Sequence, residues 1–176
     1  MNIKEIAQEA LKLTIPEWLK VDIKGNYGVA PYYRFLYLLA NRMKPNMMVE
    51  LGTCQGMGAM CMAEGNLKGE VIAIDRSLGD LKPECTRPSV KYFIQDSLEE
   101  CKIKNIGILF IDTEHNGRAL LEYAAWKGRM GKGGVVLFDD VNLNAEMREF
   151  WEGFNPEGQK IDLFELHSSG FGAVII

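Results

Sequence analysis

After Pro45 the chain repeats one unit, a short and nearly all-apolar run followed by a stretch of different character. The runs occupy residues 47–51, 71–74, 90–94, 106–111 and 134–138. A strand covered on both faces reads this way, because it has no solvent side on which to place polar residues. Helical stretches are expected between several of them, at 56–64, 97–101 and 118–130. Leu120, Leu121, Ala124 and Ala125 would form the apolar stripe of the last. Strands and helices in alternation predict a doubly wound α/β sheet.

The two ends differ from this core. Residues 161–166 and 171–176 flank His167-Ser168-Ser169-Gly170, which reads as a β-hairpin and places an antiparallel strand at the end of a parallel sheet. At the other end Ile3, Ile6, Ala7, Ala10 and Leu11 recur at helical spacing. Pro16, Gly25, Gly28 and Pro31 then interrupt the pattern. Pro31 suits the first turn of a second helix running to about Met43, with Phe35, Leu36, Leu38 and Leu39 on its buried side. No repeat or linker divides the chain. A single domain over 1–176 is expected, with a helical segment at 1–44 and a core at 45–176. The apolar residues of the first helix fit either a homodimer interface or packing on the sheet.

Composition narrows the functional classes. The 176 residues suit one domain. A net charge of −4 argues against a nucleic-acid binder, which usually carries a strongly basic face. Met1-Asn2-Ile3-Lys4-Glu5 carries charge where an export signal needs an apolar core. The charge-free run 51–63 is too short and too glycine-rich to span a membrane. No membrane partner and a cytoplasmic location are therefore expected. Cys54, Cys61, Cys85 and Cys101 form no C-x-x-C pair, so reduced thiols are expected rather than a structural zinc site.

The first apolar run ends in Glu50 and breaks into Leu51-Gly52-Thr53-Cys54-Gln55-Gly56; the second ends in Asp75. Glycine permits a tight turn and close approach of a ligand to the backbone. An acid after the second strand can accept hydrogen bonds from ribose hydroxyls. Together they point to a nucleoside-containing cofactor. Simple turn glycines and strand-end acids would look the same.

Over residues 31–176 the chain resembles the class I S-adenosylmethionine-dependent methyltransferases. The resemblance rests on the loop from Glu50 to Gly56, on Asp75, on the pair Asp96-Ser97 and on the closing hairpin. It implies a Rossmann-like, doubly wound, seven-stranded sheet with an antiparallel C-terminal strand and helices on both faces. It also implies S-adenosylmethionine held by Glu50, Gly52, Thr53, Cys54, Gln55, Gly56, Asp75, Arg76, Asp96 and Ser97. Cys54 and Gln55 would act through backbone amides, and Asp96 would receive the adenine amino group unless it only caps the following helix. The acids Glu50, Asp75, Asp96 and Asp112 form a rim that favours a cationic sulfonium over the pyrophosphate of NAD, which prefers helix-terminal amides without an acid nearby.

Phe110-Ile111-Asp112-Thr113-Glu114-His115, followed by a helix and then by Gly131 to Asp140, is similar to the metal-dependent O-methyltransferases of catechol, caffeoyl-CoA and macrolide-sugar type. This implies Mg2+ on Asp112, Asp139 and Asp140, and His115 as the base that deprotonates a hydroxyl. The chemistry agrees: three converging carboxylates repel one another without a cation, and hard oxygen ligands suit magnesium. Strand-end acids that cap turns remain an alternative for all three. In a metal-independent enzyme Asp112 or His115 alone would orient the acceptor. His167, in the hairpin turn, receives no role. Tyr27, Tyr32 and Tyr33 either cover the ligand or pack in the core, while Met57, Met60 and Met62 read as packing residues.

Two features depart from the family pattern. Pro83 and Pro88 shorten or remove the second crossover helix. No insertion supplies a lid, so acceptor contacts fall to the N-terminal segment, to residues 141–155 or to another subunit. The acceptor is expected to be a small molecule with a hydroxyl: a sugar, a catechol-like phenol or a natural product. An NAD-linked enzyme and a non-catalytic protein of the same fold are the rivals.

Overall fold

The computed structural model describes residues 2–20 and 30–176; Tyr27, Gly25 and Gly28 lie outside the described residues. The chain opens with α1 (Ile3–Lys12) and α2 (Pro31–Met43). Then follow β1 (Met47–Leu51), α3 (Met57–Gly65), β2 (Glu70–Asp75), β3 (Val90–Ile94), β4 (Ile106–Ile111) and α4 (Arg118–Trp126). It closes with β5 (Met130–Asp139), α5 (Ala145–Gly153), β6 (Gln159–Asp162) and β7 (Phe171–Ile175). The seven strands form one sheet in the order β3-β2-β1-β4-β5-β7-β6. β1 to β5 are mutually parallel, and β7 runs antiparallel to both β5 and β6. The order reverses between β1 and β4, and beyond the carboxyl ends of such strands lies the crevice where open α/β sheets bind ligands.

Alternate residues of the central strands feed two cores, as the two-residue period of a strand requires. Met48, Ile108, Phe110, Val135 and Leu137 pack toward α2 and α3 with Phe35, Leu36, Leu39 and Met60. Val49, Leu51, Leu109, Ile111, Val136 and Phe138 pack toward α4 and α5 with Tyr123, Trp126, Trp151 and Phe154. Pro31 stands at the start of α2, which buries Phe35, Leu36, Leu38 and Leu39. The apolar face of α1 (Ile3, Ile6, Ala7, Ala10) is buried within the chain, tied to α2 where Arg34 Nε donates to the Ala10 carbonyl at 2.8 Å. Leu11, the fifth apolar residue of that helix, is 36% exposed.

Five expectations need correction. Residues 97–101 form no helix: the Asp96 carboxylate accepts from the Leu98 amide at 2.9 Å and the Asp96 carbonyl from the Glu99 amide at 3.0 Å, a turn that competes with helix. The stripe on α4 is rotated. Ala119, Glu122, Tyr123 and Trp126 are buried, whereas Leu120 and Leu121 are 47% and 58% exposed. Glu122 is drawn inward by polar partners, and the helix turns with it. α4 also ends at Trp126, short of residue 130, and β5 starts at Met130 rather than at 134. Its pairing jumps from Ile106↔Met130 to Ile108↔Val135, a bulge that absorbs Gly131, Gly133 and Gly134. In the hairpin, β6 covers only Gln159–Asp162, and a 3-10 turn at Phe164–Leu166 fills part of the connection to β7.

Between β2 and β3 the chain makes a single 3-10 turn at Pro83–Cys85, in keeping with its prolines. β3 is an edge strand, with Ile94 70% exposed. Among the described residues no helix is long and apolar enough to cross a membrane.

Candidate active site

The loop after β1 is sewn to its neighbours by backbone bonds. The Gly52 amide donates to the Ile74 carbonyl and the Asp112 amide to the Leu51 carbonyl, both at 2.8 Å. Gly52 has φ +86°, and a Cβ there would lie 1.8 Å from the Asp112 carbonyl oxygen, so only glycine lets the loop cross the end of β4. Cys54 takes the left-handed conformation at φ 44°, which aims its amide at Asp75 Oδ2, 2.9 Å away. Asp75 Oδ1 accepts from the Ser77 amide at 3.0 Å. Asp75 thus holds the loop, and each of its oxygens keeps further acceptor capacity for a ligand hydroxyl.

Glu50 faces α3 beneath this loop and is 1% exposed. Its Oε1 fills the space where a Cβ of Gly58 would stand, 2.0 Å away, so Gly58 makes room for the carboxyl. Burial pushes its pKa from 4.5 to about 8; Asp75 adds to the rise, while the Thr53 hydroxyl and the Ala59 amide oppose it. Glu50 Oε2, Thr53 Oγ1 and Gln55 Oε1 are buried and complete no hydrogen bond of good geometry among the described residues, although the Thr53 hydroxyl lies near the Glu50 carboxyl. All three residues line one cavity of about 340 Å³. Orphaned polar atoms are costly unless a ligand satisfies them.

The far wall of that cavity carries the acids. Asp139 ends β5, and Asp140 follows in the left-handed conformation at φ 56°. His167 Nδ1 lies 3.1 Å from Asp139 Oδ1 and 3.2 Å from Asp140 Oδ1. Ser169 Oγ donates to Asp140 Oδ1, and His115 Nε2 stands 3.2 Å from Asp140 Oδ2. Burial, then Asp139, Glu50 and Asp140, drive the Asp112 pKa well above the carboxylate range, with His167 opposing. Burial also raises Asp139, against the adjacent His167. Burial would raise Asp140 too, but the contacts from His167 and Ser169 and the charge of His115 outweigh it and leave the pKa lowered. Burial works against the His167 imidazolium, yet the two carboxylates beside it prevail and lift its pKa to about 10.

Among the described residues, Asp139, Asp140 and His167 are the acids and histidines whose donor atoms converge tightly enough to hold an ion. Asp112 and His115 line the same cavity outside that set. His167 is the residue that sequence reasoning missed. Antiparallel pairing of Asp139 with Phe171 carries the turn before β7 back over the carboxyl end of β5. Only that pairing could have signalled it. Tyr32 and Tyr33 are buried and line the cavity, with the Tyr32 ring edge-on to His167 at 4.9 Å.

A second cavity, of about 210 Å³, opens on the β2 side and is lined by Asp75, Arg76, Gln95 and Ser97. Arg76 pairs with Glu114 across its mouth. Asp96 Oδ1 serves Arg118 as well as the Leu98 amide. The Ser97 hydroxyl donates to Glu122 and accepts from Arg118 Nη2 at 3.1 Å. Glu122, fully buried, also accepts from Thr113 Oγ1 at 2.7 Å and from Arg118 Nε at 3.2 Å. Asp96 Oδ1 and the Ser97 hydroxyl are thus committed to a buried network around Arg118 and Glu122, a further feature missed in the sequence. The two cavities share Cys54, Asp112 and Thr113 and form one trough over the ends of β1 and β4. A further hollow, about 690 Å³ between α4 and α5, is mostly apolar and is lined by none of these acids.

A family model described as a methyltransferase domain matches residues 49–141. No curated protein matches the chain in sequence comparison. Among solved structures, an O-methyltransferase from Bacillus cereus in complex with SAH is similar, with a TM-score of 0.61 and 22% identity over 99% of this chain and 90% of that one. A methyltransferase from Geobacter sulfurreducens gives a TM-score of 0.66 and 17% identity over 98% and 86% of the two chains. The O-methyltransferase TomG from Streptomyces achromogenes, involved in tomaymycin synthesis and solved with SAM, gives 0.61 and 20% over 98% and 88%. At these identities the likeness is one of fold.

Proposed function

Because this chain belongs to the methyltransferase-domain family, we propose that it transfers a methyl group from S-adenosylmethionine to a hydroxyl of a small molecule, with a divalent ion assisting. The observation that carries the reading is the trough itself. One end offers Asp75 and loop amides, and the other offers buried acceptors that complete no hydrogen bond of good geometry among the described residues and a wall of acids. Two structures of similar fold carry SAH and SAM.

S-adenosylmethionine, when bound, supplies a methyl group on a positively charged sulfur. Asp75 accepts the ribose hydroxyls, and the glycine loop gives the backbone close approach. Glu50, Thr53 and Gln55 supply acceptors for the cationic amino-acid end. A divalent ion, when bound, lowers the pKa of a hydroxyl placed on it. Asp139 and Asp140 would hold that ion, with Asp112 lining the same cavity; the buried Oδ1 of Asp139, which makes no hydrogen bond of good geometry among the described residues, is an acceptor that a cation would satisfy. His115 takes the hydroxyl proton, and the trough aligns the two reactants, which supplies much of the acceleration.

A second reading, methyl transfer without a metal, is favoured by one observation: His167 Nδ1 touches both carboxylates, so an imidazolium can supply the neutralising charge. Turnover separates the two. Methyl-labelled S-adenosylmethionine is offered with catechols, phenols and sugars, before and after EDTA treatment. Labelled O-methyl product that disappears with EDTA supports the metal-assisted reading; product indifferent to EDTA supports the second. Label on nitrogen or carbon would overturn the hydroxyl assignment.

A further inference from the structure

We propose that His167 is itself a ligand of the divalent ion, and that its imidazole makes this site prefer a nitrogen-accepting first-row ion such as Mn2+ or Co2+ over Mg2+. The inference rests on the metal-assisted reading and specifies which ion the site takes. Its basis is geometric. His167 Nδ1, Asp139 Oδ1 and Asp140 Oδ1 form a triangle with edges of 3.1 Å and 3.2 Å at the nitrogen. Ligand atoms at about 2.1 Å from a six-coordinate ion stand about 3 Å from one another. The nitrogen therefore already stands at that spacing from each oxygen, and the donor atoms of the three residues all lie within 4.8 Å of one another.

A second observation concerns the acceptor capacity of Asp139 Oδ1, whose one close polar neighbour is the ion-pairing His167 Nδ1 at 3.1 Å. Asp139 Oδ1 is buried and has no hydrogen-bond partner of good geometry among the described residues, although His167 Nδ1 is so near. The hydrogen-bonding contact of Nδ1 is instead with Ser169 Oγ at 3.1 Å. The arrangement is also held rigidly. The Tyr32 ring packs edge-on against the imidazole, Ser169 bonds Asp140, and the pairing of β5 with β7 sets the backbone.

Ligand chemistry then selects the ion. Magnesium favours oxygen and retains its water, whereas imidazole suits first-row transition ions and zinc. Three protein ligands leave open positions for an acceptor hydroxyl and water, as in catalytic sites.

The test uses the full chain, freed of metal by a chelator and titrated calorimetrically with MnCl2, CoCl2 and MgCl2, without and with S-adenosylhomocysteine. Wild type is compared with His167→Gln, whose folding is checked by thermal melting. Wild type is expected to bind Mn2+ and Co2+ at least about tenfold more tightly than Mg2+, and His167→Gln to lose about tenfold or more of that affinity with little change for Mg2+. Spin-echo spectroscopy of Mn2+ on the unmutated chain, labelled with 15N-histidine, should show direct nitrogen coupling, which needs no variant to fold. Unchanged Mn2+ affinity in a folded His167→Gln, or no nitrogen coupling, would overturn the role of His167 and leave metal assistance standing. A wild type that binds none of the ions in either condition would remove the metal-assisted reading itself.

Discussion

Replacing Glu50 by glutamine isolates the electrostatic cost at the base of the trough. The carboxyl is 1% exposed, and its pKa moves from 4.5 to about 8. The folded-state value lies above the unfolded one, so the stability this group contributes is complete below pH 4.5 and is lost as pH rises through 8. Between pH 5 and pH 9 the loss amounts to about 4 kcal/mol. Glutamine has the same shape and no such titration. In urea unfolding of the ligand-free protein, the advantage of Glu50→Gln over wild type should therefore grow by about 4 kcal/mol from pH 5 to pH 9. Binding supplies a second reading of the same group. At pH 7 about nine tenths of the free protein carries a protonated Glu50, and a cationic ligand favours the ionised form. Cofactor binding at pH 7 should release close to one proton, seen as a dependence of the calorimetric enthalpy on buffer ionisation, and Glu50→Gln should abolish it. Parallel stability curves for the two proteins from pH 5 to pH 9 would show that Glu50 is already ionised when folded, and the reasoning would fail.

Other perturbations test other links. Gly52→Ala forces a Cβ to 1.8 Å from the Asp112 carbonyl at φ +86°, and should cost more than about 3 kcal/mol in chemical denaturation or prevent folding. Trp126→Ala removes a buried ring that donates to the Ser97 carbonyl and should cost about 3–5 kcal/mol, while Leu121→Ala on the exposed side of the same helix should stay within about 0.5 kcal/mol in the same measurement. His115→Ala should lower turnover by about 10²–10⁴ while calorimetric affinity for S-adenosylmethionine changes less than about threefold.

What the sequence made legible follows from burial. β1, β2 and β4 are sandwiched between two helical layers, so almost every residue in them is apolar and the runs stand out. The start of β5 was hidden because its first residues, Gly131 to Gly134, sit in a bulge and read as loop. The face of α4 was misjudged because its inward position is held by a carboxylate: Glu122 meets Ser97, Thr113 and Arg118, and apolar periodicity cannot register a buried acid. The loop glycines and strand-end acids were visible because each follows a strand directly. His167 was not, because it reaches the acids through the pairing of β7 with β5, a register settled only when the sheet assembles.

The most direct test is a calorimetric titration of the folded full chain with S-adenosylmethionine, set against NAD under the same conditions. Saturable one-to-one binding of S-adenosylmethionine, weakened at least about tenfold by Asp75→Ala, with no heat from NAD, is the predicted result. Saturable NAD binding, or a folded protein indifferent to S-adenosylmethionine, would contradict it.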